Sequence, residues 1–74
     1  MTRYFRDEIY NQMAEIKETE NGRFLARIIQ VRNGKKYWAL WRTYPTYHGA
    51  RISVGKHGYE WKEITKEITK EAIA

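Results

Sequence analysis

Apolar and polar positions alternate most clearly between residues 23 and 44. Two β-rich runs, Arg23 to Val31 and Lys35 to Tyr44, flank the dipeptide Asn33-Gly34. A type I′ turn needs positive φ at both central residues, and Asn-Gly supplies them at least strain, so the pattern predicts a hairpin. A two-residue loop sets its register. One face pairs Arg32 with Lys35, Gln30 with Tyr37, Ile28 with Ala39, Ala26 with Trp41 and Phe24 with Thr43. The other pairs Val31 with Lys36, Ile29 with Trp38, Arg27 with Leu40, Leu25 with Arg42 and Arg23 with Tyr44. Beyond the two bases beside the turn, the first face carries no charge. An unpaired Arg is costly to bury, so the first face is expected to point inward and the Arg-rich one outward.

Elsewhere the pattern is weaker. Phe5, Ile9, Met13 and Ile16 would line one side of a helix over residues 3 to 17, with Thr2 available as its cap. The alternative is a fourth strand over about residues 12 to 20, joined through Asn21-Gly22 to the next. A two-residue turn there would place Glu15, Lys17 and Thr19 on the inward face, which ranks this alternative second. Pro45 to Ala50 reads as a loop, and Arg51 to Val54 as a short third strand with Ile52 and Val54 inward, broken by Gly55 and Gly58. Trp61, Ile64, Ile68 and Ala72 then recur at helical spacing, predicting a helix whose stripe covers the inward sheet face. The expected fold class is α+β: a three-stranded antiparallel meander packed on a C-terminal helix, with an N-terminal helix at its edge.

Charge sharpens this picture. The chain has 74 residues and a formal net charge of +5. Its middle stretch, Arg23 to Gly58, holds Arg23, Arg27, Arg32, Lys35, Lys36, Arg42, Arg51 and Lys56 without one Asp or Glu, whereas both flanks are mildly acidic. Such a split points to a polyanionic partner. The length is that of one domain with a thin core. With no cysteine there is no disulfide framework and no thiolate for zinc. No apolar run approaches the ~20 residues of a membrane span, and no secretory h-region follows Met1. A cytoplasmic or nucleoid-associated, non-secreted protein is the expectation.

Catalysis finds little support. Ser53 and Asp7 are the single Ser and Asp, and no nucleophile-elbow motif or Gly-rich phosphate loop is present. His48 and His57 lie nine apart with no Cys or acid between them, a poor start for a zinc site. Neither a cofactor nor a small-molecule substrate is implied. The outward hairpin face remains. Arg23, Arg27, Lys36, Arg42 and Arg51 are candidates for phosphates or base edges, Trp38 and Tyr44 for apolar contact, and Arg32, Lys35 and Lys56 for the rim. DNA is favoured over RNA. The alternative is a protein-interaction module using the same face on an acidic partner or in a homodimer, since Arg, Trp and Tyr also dominate protein hot spots.

In layout, Gly22-Arg23-Phe24-Leu25-Ala26-Arg27-Ile28, Asn33-Gly34-Lys35-Lys36, Arg51-Ile52-Ser53-Val54-Gly55 and the following helix resemble two families. These are the three-stranded DNA-binding domains of plant ethylene-response regulators and the arm-type domains of tyrosine recombinase integrases. The resemblance implies a sheet whose exposed face enters the major groove, with Arg23, Arg27, Trp38, Arg42 and Arg51 as its contacts. The chain carries Lys56-His57-Gly58 where those families place Phe and Thr, and its Tyr44 to Ala50 connection is longer.

Overall fold

The computed structural model describes residues 1–66. Strands β1 (Thr2–Asp7), β2 (Gln12–Glu18), β3 (Phe24–Arg32), β4 (Lys35–Tyr44) and β5 (Trp61–Glu63) form one antiparallel sheet in the order β4-β3-β2-β1-β5, and helix α1 (Tyr47–Lys56) packs on one side of it. The class is α+β as expected, with five strands in place of three.

The expected N-terminal helix is instead β1 and β2. Asp7 and Asn11 turn the chain between them: the Asp7 carboxylate accepts the Ile9 N–H, and Asn11 takes φ 50°. The apparent helical stripe was drawn from both sides of a sheet. Phe5 and Ile16 are buried, Met13 is half-buried on the opposite side, and Ile9 is exposed at the turn. The alternative strand is present as β2, but with another connection. Five residues, Thr19 to Arg23, link it to β3, closed by the Thr19 N–H to Arg23 carbonyl bond at 2.8 Å. Glu18 therefore faces Phe24. This is one residue out of step with a two-residue turn, and since side chains alternate with period two, it sends Ala14 and Ile16 inward and Glu15 and Lys17 outward.

The β3–β4 hairpin turns through Asn33 and Gly34 at φ 52° and 75°. Its register follows expectation from Arg32–Lys35 to Ile29–Trp38, and then a β-bulge at Ala39 shifts it. Beyond the bulge Ile28 faces Leu40, Arg27 faces Trp41, Ala26 faces Arg42 and Phe24 faces Tyr44. Trp41, expected inside, is thus 57% exposed, while Arg42 and Tyr44 move to the helix side. An extra residue reverses the facing of everything after it.

The expected loop and third strand over residues 45 to 54 are corrected to α1. Thr46 caps it, its hydroxyl accepting the Gly49 N–H at 3.0 Å, and Pro45 precedes the cap. Tyr47, Ala50 and Val54 face the sheet at spacings of three and four, and Ile52 points to solvent. The core is the sheet's Phe5, Ala14, Ile16, Ala26 and Ile28 against Ala50 and Val54. Alanines in both layers let the helix approach closely despite the two glycines that weaken it. Among the described residues the roof over the inward face is α1. Where the expected C-terminal helix was to begin, Trp61–Glu63 pairs with β1 as β5, and its later positions Ile68 and Ala72 lie outside the described residues.

Two polar side chains, Asp7 and Gln12, are sealed into this arrangement. Asp7 is fully buried and accepts bonds from the Tyr59 N–H at 2.8 Å, the Ile9 N–H at 3.0 Å and the Gln12 amide at 3.1 Å. Gln12 also donates to the His57 carbonyl at 2.8 Å, so the carboxylate ties β1, β2 and the chain after α1 together. Gly58 makes the approach possible: a Cβ there would lie 2.4 Å from the Trp61 indole nitrogen and 2.6 Å from Asp7 Oδ2. Burial disfavours the charged carboxylate, but the donors from Tyr59, Gln12, Ile9 and Tyr10 outweigh it and hold Asp7 below the ordinary aspartate pKa.

Two predictions follow from the packing. Ile52→Lys should change stability by no more than about 0.5 kcal/mol, whereas Val54→Ala should cost about 2 kcal/mol; equal losses in urea melts would restore the strand reading. For Asp7, a lowered folded pKa means its stabilisation is complete above the unfolded value of about 3.9 and is lost as pH falls through the folded one. Urea midpoints should drop between pH ~5 and pH ~2, and Asp7→Asn, destabilised already at neutral pH, should show a shallower drop.

Candidate nucleic-acid interface

With α1 covering one side, the other side of the sheet is open among the described residues. Register places Tyr4 on β1, Met13 and Glu15 on β2, Arg27 and Ile29 on β3, and Lys36, Trp38 and Trp41 on β4 along it. Tyr4, Met13, Glu15, Arg27, Ile29 and Trp38 line a shallow depression there. At its edge Trp38 and Trp41, 53% and 57% exposed, meet edge to face with ring centroids 4.8 Å apart. The bulge brings them together, because it removes one residue from the alternation and returns position 41 to the side of position 38.

Arg27 holds this pair from beneath. Its guanidinium carbon lies 5.5 Å from the Trp38 ring centre and 5.2 Å from that of Trp41. The same group is ion-paired to Glu15 across the β2–β3 ladder, with Nε donating to Oε1 at 2.8 Å. Both partners are largely shielded from water, so the pair is less screened than a surface one. Beside them the Tyr4 phenol is pushed above its usual pKa by burial and then by Glu15, with Arg27 pulling the other way. Arg27 is thus placed on the expected face, but its charge is already engaged by a carboxylate.

The ten sequence-derived residues divide among several places. Arg27, Lys36 and Trp38 share the open face. Arg32 and Lys35 sit with Lys36 at the hairpin end, which runs beyond β2, since β2 pairs with β3 only as far as Gln30. All three are exposed, and among the described residues none is ion-paired. Arg23 is exposed in the connection before β3. Arg42, Tyr44, Arg51 and Lys56 are on the helix side and not part of this surface. Arg42 lies 5.7 Å over the Tyr44 ring, Tyr44 hydrogen-bonds Ser53 of α1, and Arg51 lies 4.7 Å over the Phe5 ring. These basic groups cover apolar surface of their own domain.

Trp41, Glu15, Tyr4 and Met13 were not anticipated. A strand reading of residues 12 to 18 in the correct register would have found Glu15 opposite Arg27; nothing in the local sequence announces the bulge that exposes Trp41. Among the described residues no cluster of His, Asp or Glu is placed to hold a metal ion, and no helix is long and apolar enough to cross a membrane. Compared with known proteins, the chain matches no family model, no curated protein and no solved structure.

The brace can be measured. A double-mutant cycle with Glu15→Gln and Arg27→Met should return a coupling of about 1 kcal/mol in denaturant melts. Arg27→Met alone should also alter the tryptophan emission spectrum; an unchanged spectrum and no coupling would mean that the ion pair does not position the indoles.

Proposed function

We propose that this is a non-catalytic nucleic-acid-binding domain, for DNA in preference to RNA, that works through the open sheet face and the basic end of its hairpin. The observation that carries the reading is the adjacency of two exposed indoles to Lys36 on the open face, with Arg32 and Lys35 beside it at the hairpin end but on the opposite face; among the described residues none of these three cations is ion-paired. Cations of this kind take phosphates, and exposed aromatic rings take sugars or bases. Arg27 is a support for the indoles in this reading and not a phosphate contact. The resemblance to three-stranded DNA-binding domains enters only as analogy, because the segment that would be their third strand, Arg51 to Gly55, is helical here.

A second reading has one observation of its own. β4 lies at the end of the sheet and carries exposed Tyr37, Trp38 and Trp41, so a second copy could pair along that edge or bury those rings. It predicts a mass that rises with concentration and no affinity for polyanions.

Fluorescence anisotropy against labelled DNA tests the first reading. With three cations engaged, log K should fall with log salt at a slope of roughly −2 to −3. Lys35→Glu with Lys36→Glu should abolish binding without lowering the melting temperature, since both side chains are exposed and, among the described residues, make no ion pair. No binding at low salt would reject the proposal. Arg27→Glu is a poor probe, because it would set two carboxylates against each other inside the sheet.

A further inference from the structure

Building on the proposed nucleic-acid function, we infer that the ligand of the open face is a single strand whose bases stack on Trp38 and Trp41, with its backbone anchored by Lys36 and led past the hairpin end that carries Lys35 and Arg32. Width is the first argument. Strands lie about 4.8 Å apart, so five of them span roughly 19 Å between outer axes, whereas the major groove is about 12 Å wide. A two-stranded ribbon such as the hairpin end enters that groove, but Trp38 and Trp41 lie where β2 and β1 widen the sheet beyond it, and in a duplex the faces of the bases are already stacked on one another. The indoles could reach base faces only where a strand is unpaired.

The second argument is the arrangement along β4. Lys36, Trp38 and Trp41 follow one another on the same side of the same edge strand, with Lys36 and Trp38 about 7 Å apart along the chain. A cation, a ring and a ring in file match an extended polynucleotide, which presents a phosphate and then successive bases. The third is pre-organisation. Arg27 lies against both rings and is itself fixed by Glu15, so the platform exists before any ligand arrives and little side-chain freedom is lost on binding. Charge is complementary as well: Lys36 has no ion-pair partner among the described residues, while the one carboxylate of the depression, Glu15, is already neutralised by Arg27.

The experiment uses the full chain and two probes, a fluorescein-labelled oligothymidylate of ~12 nucleotides and a blunt duplex of similar length. The single strand is expected to bind at least about 10-fold more tightly than the duplex and to quench tryptophan emission. Trp38→Ala with Trp41→Ala should lose about 10-fold or more toward the single strand, with the circular dichroism spectrum unchanged at the assay temperature because both rings lie outside the buried core. Trp38→Tyr with Trp41→Tyr, which keeps a stacking surface, should recover most of the affinity. Duplex binding as tight as single-strand binding, together with indifference to the Trp→Ala changes, would overturn the inference while leaving the nucleic-acid function to the basic hairpin end. Failure of both probes to bind at low salt would remove that function and the inference together.

Discussion

The pairing of Glu18 with Phe24 is the constraint on which this molecule depends. Because a strand shows alternate residues to its two sides, that alignment alone decides that Ala14 and Ile16 lie under α1 and that Glu15 lies beside Arg27. Shifted by one residue, the same strand would bury Glu15 and Lys17 and turn Ile16 to water. The five-residue connection through Gly22, at φ 76°, is what holds the register. One local feature thereby builds both the core on one side of the sheet and the braced indoles on the other.

A second device works in series with the first. The bulge at Ala39 divides β4 into a distal half that follows the simple hairpin register and a proximal half that is inverted relative to it. It collects Trp38 and Trp41 on the open side and removes Arg42 and Tyr44 from it. Those two then serve the interior: Tyr44 packs at the core margin and reaches Ser53 of α1, with Arg42 above its ring. The basic surface is therefore narrower than the count of arginines suggests. Several of the cations cover apolar surface of the fold, while Arg32, Lys35 and Lys36 gather at the hairpin end.

The two sides of the sheet treat charge in opposite ways. Asp7, fully enclosed on the helix side, is held ionised by backbone and amide donors that would otherwise lack partners. Glu15, on the open side, is balanced by a guanidinium that also supports two rings. Each carboxylate is satisfied locally, and each fixes an element that the thin core could not fix by packing alone: the chain after α1 in the first case, the tryptophan platform in the second.

Read by itself, the sequence determined what short-range chemistry can specify. Asn33-Gly34 dictates its turn through positive φ at both residues, the segregation of basic residues between Arg23 and Gly58 dictates a cationic middle, and Phe24, Ala26 and Ile28 declare an inward face. The rest was decided only in three dimensions. Residues 3 to 17 and 51 to 54 carry patterns that suit a helix or a strand about equally, and the choice fell to whichever buried Phe5, Ile16, Ala50 and Val54 against one another. The bulge and the β2–β3 register leave no mark in the local sequence, because each is a compromise among strands far apart in the chain. Whether Arg27 is free or engaged turned on Glu15, twelve residues away, and only the assembled sheet brings the two within reach.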